Sequence, residues 1–284
     1  MTVDLSVLAS DLDHPEGVAW SPSGWIVCGG EAGQIYRIDP NSGASEQIAD
    51  TGGFALGMAF DAADLLYVCD MGRHAVVRVD PATGFVDDIT TGYAETQVRV
   101  PNYPVFSADG CLFFSDSGDW AARDGLIFVR YPDGRVSVAT KDAGGYANGL
   151  AIDPDGSYLY VVETSIPRIS RFGLLGDGAL GPRETVVDTP DTVPDGIAFA
   201  ADGTLLISCY RPDAIFLWDG QSLGTLVNDR TGLTLSAPTN LAFFGPDLKR
   251  LVTANLAGRH LVEVRSGLTG AALNYPTFEN TASK

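Results

Sequence analysis

The sequence is poor in cations, in histidine and in long apolar runs. Lys and Arg number 18 against 36 Asp and Glu, a net charge of −18. Nucleic acids and anionic membrane surfaces attract cationic proteins, so neither is an expected partner. No stretch approaches the roughly 20 consecutive apolar residues of a spanning helix. Met1-Thr2-Val3-Asp4-Leu5 lacks a basic region ahead of an apolar core, which gives the expectation of no signal peptide and a cytoplasmic location. The three histidines, His14, His74 and His260, are too scattered for a His-rich metal cluster. The four cysteines include no C-x-x-C pair and read as reduced thiols. Helical periodicity is also missing. What is plentiful is Gly, 33 residues, and Pro, 16, in a chain that is 45% hydrophobic. Turn residues spread through an apolar chain point to many short strands.

Those turns belong to a repeat. Six segments share one pattern: Pro15-Glu16-Gly17-Val18-Ala19-Trp20, Ala55-Leu56-Gly57-Met58-Ala59-Phe60, Pro101-Asn102-Tyr103-Pro104-Val105-Phe106, Ala147-Asn148-Gly149-Leu150-Ala151-Ile152, Pro194-Asp195-Gly196-Ile197-Ala198-Phe199 and Thr239-Asn240-Leu241-Ala242-Phe243-Phe244. Their second residues are spaced 40, 46, 46, 47 and 45 apart. Each unit continues with a turn such as Asp109-Gly110 or Asp202-Gly203, then a β-rich run, an alternating strand and a weaker fourth strand. The expected fold is all-β: a six-bladed β-propeller with four antiparallel strands per blade. Residues 1–284 then form one domain, with a short polar tail after about 276. The sixth unit is short of a fourth strand, so the segment Thr2–Ser10 is expected to complete it and close the ring. Gly-x-Ala recurs in four first strands, where residues i and i+2 share a face. Small residues there let inner strands crowd around an axis. Cys28, Cys69 and Cys209 fall at similar places in second strands and read as small core residues.

The residue heading each inner strand is Glu16, Leu56, Asn102, Asn148, Asp195 or Asn240. An Asn-Gly or Asp-Gly pair alone is usually a turn. Here each unit already has its hairpin turn elsewhere, and the register recurs six times. Five polar side chains should therefore meet at one end of the central channel. Two carboxylates in a narrow channel repel and are costly to desolvate, and a bound cation removes that cost. Oxygen donors without His or Cys suit a hard divalent ion. Calcium fits best, ahead of magnesium, manganese, iron(II) or zinc. Leu56 cannot ligate, which leaves an open side for water or substrate.

Glu16-Gly17, Pro101-Asn102, Asn148-Gly149 and Asp195-Gly196 resemble the four metal-ligand motifs of the gluconolactonase/regucalcin (senescence marker protein) family. The resemblance runs from about residue 12 to residue 275. It implies a six-bladed propeller with one divalent ion held by Glu16, Asn102, Asn148 and Asp195. It also implies lactone hydrolysis, with Asp195 as general base or nucleophile. The small-molecule partner would then be a lactone. The first motif here reads His14-Pro15-Glu16-Gly17-Val18 rather than Gly-Glu-Gly-Pro. In the second, Arg99 stands three residues before Asn102, and Tyr103 replaces the Asp of the Arg-x-Asn-Asp seen in sugar lactonases, which favours a less polar substrate. Second strands end on the ligand face, so Asp70, Asp116, Glu163, Tyr210 and Asn255 join Arg99, Tyr103, Trp120 and His14 as candidates for substrate contact. The competing readings are an esterase or organophosphate hydrolase on the same site, a non-catalytic propeller used as a binding platform, and a propeller that keeps its ion only for stability.

Overall fold

A computed structural model describes residues 3–278. Among them there is no α-helix, and hence none long and apolar enough to cross a membrane. The strands form six antiparallel four-stranded sheets arranged as the blades of a propeller, plus one two-stranded hairpin at Gly92–Gln97. The inner strands are Val18–Trp20, Ala55–Phe60, Pro101–Phe106, Ala147–Ile152, Val193–Phe199 and Pro238–Phe244. They run from the face carrying the hub residues to the opposite face. Blade six closes as expected: Asp4–Ala9 pairs antiparallel with Leu261–Arg265, with Leu5 opposite Val264. Its outermost strand thus comes from the other end of the chain, so unravelling one end unpairs the other.

The core is six apolar clusters, most of them lying between neighbouring blades. One joins Val18, Ile26 and Cys28 of blade one to Phe244, Val252 and Leu261 of blade six. Another joins Tyr67 and Val76 of blade two to Phe114 and Phe128 of blade three. Cys28, Cys69, Cys111 and Cys209 are all buried and unbridged. They do not share a position, however. Cys28 pairs with Val18, Cys69 lies opposite the Leu56-Gly57 bulge, and Cys209 pairs with Pro194. These are three successive registers, because the cysteines stand progressively further along strands that start at equivalent pairs: Trp20 with Ile26, Phe60 with Leu66 and Phe199 with Leu205.

At the hub, backbones approach so closely that a side chain is excluded. A methyl group on Gly17 would run into the carbonyl of Leu56 in blade two. One on Gly149 would lie 2.7 Å from the Asp195 carbonyl oxygen in blade five. Blade six meets blade one through Thr239 Oγ1, which donates to the Glu16 carbonyl at 2.7 Å.

The segment after the last strand crosses the far mouth of the channel. Ala271 N donates to the Phe199 carbonyl at 2.9 Å, Asn274 Nδ2 to that of Phe106 at 3.0 Å, and the Tyr275 hydroxyl to that of Trp20 at 2.7 Å. Phe278 packs on Tyr67 and Phe106. The polar tail expected after about 276 therefore begins later, and residues 279–284 lie outside the described residues.

Replacing Gly17 by Ala should destabilise the protein by about 1–3 kcal/mol through overpacking at the hub. Urea unfolding checks this, and the midpoint should fall with little change in slope.

Candidate metal centre

In blades two to six a β-bulge places the hub side chain, while Glu16 lies just ahead of its inner strand. In blade three, Pro101 pairs with Asp116 and Pro104 with Phe114, so Asn102 and Tyr103 share one partner, Ser115. The same offset falls at Leu56-Gly57, Asn148-Gly149, Asp195-Gly196 and Thr239-Asn240. A bulge bends its strand and re-aims a side chain. Hydroxyls opposite fix the displaced backbone. The amide of Tyr103 donates to Ser115 Oγ at 3.0 Å, and that of Gly196 donates to Ser208 Oγ at 3.2 Å. Ser115 Oγ donates in turn to the Asn148 carbonyl of the next blade at 2.7 Å.

Two amides of the hub are oriented by hydrogen bonds, one within its own blade and one to the next. Asn148 Nδ2 donates to Thr164 Oγ1 at 3.2 Å, and Thr164 donates onward to the Pro194 carbonyl at 2.8 Å. Asn240 Nδ2 donates to the Glu16 carbonyl at 3.1 Å. Each amide oxygen is left facing away from these bonds. The outcome is five buried oxygens with no hydrogen-bond partner among the described residues: Glu16 Oε2, Asn102 Oδ1, Asn148 Oδ1, Asp195 Oδ1 and Asn240 Oδ1. Their residues are only 1–8% exposed. Leaving one buried acceptor unpaired costs about 1–3 kcal/mol, and more if it is charged.

Glu16 and Asp195 interact directly through their charges. Burial raises the Glu16 carboxyl well above the usual range, and the Asp195 charge adds to this. Burial pushes Asp195 up to about 7. Both shifts mean that the negative charges lack a counter-charge. The donor set (two carboxylates and neutral amide oxygens, with no His or Cys) has the chemistry of a site for a hard divalent ion. Below this layer the channel is apolar: Val18, Met58, Tyr103, Leu150, Ile197 and Leu241 line a cavity of about 140 Å³ that reaches the C-terminal segment. The apolar floor keeps the local dielectric low and strengthens any charge interaction above it.

The other candidate residues go to different places. Asp116 and Glu163 are fully buried and occupied, which corrects their expected role in substrate contact. Asp116 accepts from the backbone amides of Arg99 (2.7 Å), Gly118 (3.0 Å) and Val100 (3.1 Å). Glu163 accepts from Arg168 Nε at 2.6 Å and from the Gly145 amide at 3.3 Å. Asp70 and Asn255, in the same register, accept from the amides of Phe54 and Ser236. All four tie down the loop entering their own blade's inner strand, and so brace the hub. Tyr210 is not in this register, because Cys209 pairs with Pro194 there. It is half-buried, with the Arg211 guanidinium over its ring. Arg99 turns to Asp124, with Nη1 2.8 Å from its carboxylate. The His14 ring pairs with Asp13 at 3.0 Å, close to Glu31. Tyr103 is packed against Gly57, and burial together with the Glu16 charge raises its phenol pKa. Trp120 is half-exposed and stacks on Tyr146.

Asn240 was among the five polar residues expected at the hub, though outside the four-ligand set; in its bulge Thr239 takes the place that Asn148 and Asp195 hold, and Asn240 the place of Gly149 and Gly196. One residue near the hub escaped the sequence-based set. Tyr146 stands two residues before Asn148, outside the register considered. Its phenol is nonetheless close enough to Asp195 and Glu16 for their charges, after burial, to raise its pKa.

The fold recurs in known proteins. The SMP-30/Gluconolactonase/LRE-like region family matches residues 14–255. The gluconolactonase of Zymomonas mobilis is 26% identical over 271 residues, spanning 83% of this chain and 75% of that protein. Pentonolactonase XacC of Haloferax volcanii is 27% identical over 257 residues, spanning 86% of this chain and 81% of that protein. Among solved structures, a gluconolactonase from Xanthomonas campestris superposes with a TM-score of 0.79 at 25% identity, covering 94% of this chain and 90% of that one. The calcium-binding protein regucalcin from Agrobacterium tumefaciens superposes with a TM-score of 0.77 at 20% identity, covering 98% of each chain, and so shares the fold. With most of its length matched, the chain belongs to the SMP-30/gluconolactonase/LRE-like family.

Proposed function

We propose that this protein is a divalent-metal-dependent lactonase. The observation that carries the reading is the layer of five unpartnered buried oxygens, two of them from carboxylates, at the head of the inner strands. The gluconolactonase and pentonolactonase relatives supply the substrate class. Glu16, Asn102, Asn148 and Asp195 are the residues that would hold the ion, with Asn240 Oδ1 beside them. Calcium suits their all-oxygen character best. When bound, the ion supplies Lewis acidity toward a carbonyl oxygen.

Asp195 does the proton chemistry. Its carboxylate takes a proton from water as the water oxygen attacks the lactone carbonyl carbon. The ring C–O bond then breaks, and the leaving alkoxide takes that proton from Asp195, giving a hydroxy acid and restoring the carboxylate. Direct attack by Asp195 Oδ1 is the alternative within the same site. A single turnover in ¹⁸O-water separates the two, since the general-base route puts the label in the first product formed. Asn148 keeps its oxygen free because Thr164, itself tied to the Pro194 carbonyl of the next blade, takes its amide hydrogen. The buried floor excludes bulk water from beneath the reacting ester.

Asp195→Asn should lower kcat on a γ- or δ-lactone by at least about 100-fold while leaving the circular dichroism spectrum unchanged. Wild-type-like turnover by this variant would remove Asp195 from the mechanism. Measuring phosphotriester and simple ester hydrolysis in parallel tests the choice of substrate class, with lactones expected to be fastest.

The metal-free protein should also show an inverted pH response. The Asp195 carboxyl lies at about 7 in the fold against 3.8 in a free chain. Between those values the folded state keeps a proton that the unfolded state releases. That contribution to stability is full below about pH 4 and lost as pH rises through about 7. In chelator the melting temperature should therefore fall more steeply over this window for wild type than for Asp195→Asn, and millimolar calcium should abolish the difference. Identical profiles in chelator would contradict the assignment.

A further inference from the structure

The hub is lopsided. The acids come from blades one and five, which flank blade six. Blade two contributes Leu56, only 5% exposed, where other blades carry a polar residue. Blade three carries the longest second-to-third-strand loop, residues 117–125, against two to five residues in the other blades. This loop lies on the face that carries the hub residues and presents Trp120, 51% exposed.

The loop is firmly held. Ser117 Oγ donates to the Ala147 carbonyl at 2.7 Å, beside Asn148. Asp116 accepts from the Gly118 amide, and Arg99 clamps Asp124 at the loop's end. Trp120 leaves half its surface in water and stacks on Tyr146, ring centroids 5.1 Å apart and tilted by 58°. Tyr146 has φ +61°. Left-handed backbone is unfavourable for an aromatic residue and persists where the surroundings impose it, commonly at functional sites. Tyr146 stands two residues before Asn148, and its carbonyl accepts from the Thr164 amide at 3.3 Å, so the Trp120–Tyr146 pair lies at the entrance to the blade-four inner strand, beside its hub residue.

From this geometry we propose that Tyr146 and Trp120, with Leu56, form an apolar wall on the blade two to four side of the hub that receives the non-reacting part of the substrate and selects lactones bearing an alkyl or aryl substituent over polyhydroxylated sugar lactones. This rests on the lactonase reading and deepens it. A sugar lactone needs several hydrogen-bonding partners when buried. On this side the site offers ring faces, and the nearby arginine, Arg99, is committed to Asp124. An aromatic stack contributes about 0.5–1.5 kcal/mol, up to roughly tenfold in affinity.

The test compares kcat and KM for γ-phenyl-γ-butyrolactone, unsubstituted γ-butyrolactone and glucono-δ-lactone in wild type, Trp120→Ala, Trp120→Phe, Tyr146→Phe and Tyr146→Ala. Wild type should favour the phenyl lactone over the sugar lactone. The phenyl-to-unsubstituted ratio of kcat/KM should fall about threefold to tenfold in Trp120→Ala and Tyr146→Ala, mainly through KM. It should be retained in Trp120→Phe and Tyr146→Phe, which keep a ring. Binding is read separately by quenching of tryptophan fluorescence with the non-hydrolysable 5-phenyl-2-pyrrolidinone. The quench should saturate in wild type and largely vanish in Trp120→Phe, the other three tryptophans being elsewhere. A preference for the sugar lactone, or a ratio unmoved by both alanine variants, overturns the wall. Failure to open any lactone while the lactam still quenches Trp120 would instead overturn the lactonase reading and leave the apolar wall standing.

Discussion

Two carboxylates brought together in a dry channel impose the central constraint on this protein. Water cannot solvate Glu16 and Asp195 there, and no Lys or Arg side chain pairs with them among the described residues. The carboxyl pKa values rise because nothing offsets the charge. A chain selected for stability alone would place apolar residues at these positions, since a buried uncompensated charge is strongly destabilising. Amide oxygens stand at or next to the same strand positions in three other blades. Five orphaned oxygens around two uncompensated charges have the chemistry that a divalent cation satisfies.

Propeller geometry makes that site rigid. In blades two to six the hub residue sits at a bulge, and a hydroxyl or a buried polar side chain on or just after the second strand braces the strand entrance. The acids at the strand ends, Asp70, Asp116 and Glu163, hold the loops that enter the inner strands. Glycine at the crowded axis lets neighbouring backbones come close enough for side chains from different blades to meet. Closure by the N-terminal strand and the C-terminal crossing ties the ring at both faces. Sites carried on strands braced from both sides hold their geometry better than sites on free loops.

Much of this was legible in the sequence because the repeat is strict. Spacings of 40 to 47 residues between equivalent positions fixed the blade count and the closure of blade six. The recurring register put Glu16, Asn102, Asn148 and Asp195 at equivalent places, with Asn240 one residue further along its strand. What the sequence concealed depends on bulges and loop paths. Cys209 pairs with Pro194 as Asp70 pairs with Ala55 and Asp116 with Pro101, and Tyr210, one place further on, falls in a second bulge. Asp116 and Glu163 looked like rim residues, yet they turn inward because unpaired loop amides beside them need acceptors. Tyr146 was missed because it lies in the turn ahead of its inner strand, in left-handed backbone, where strand alternation does not apply.

The most direct test of the central claim is a crystal structure of the protein grown with manganese(II) as a calcium surrogate and measured at a wavelength where manganese scatters anomalously. One strong anomalous peak lying between the oxygens of Glu16, Asn102, Asn148 and Asp195 is the expected result. A hub filled only by water, with the peak elsewhere or missing, would contradict it.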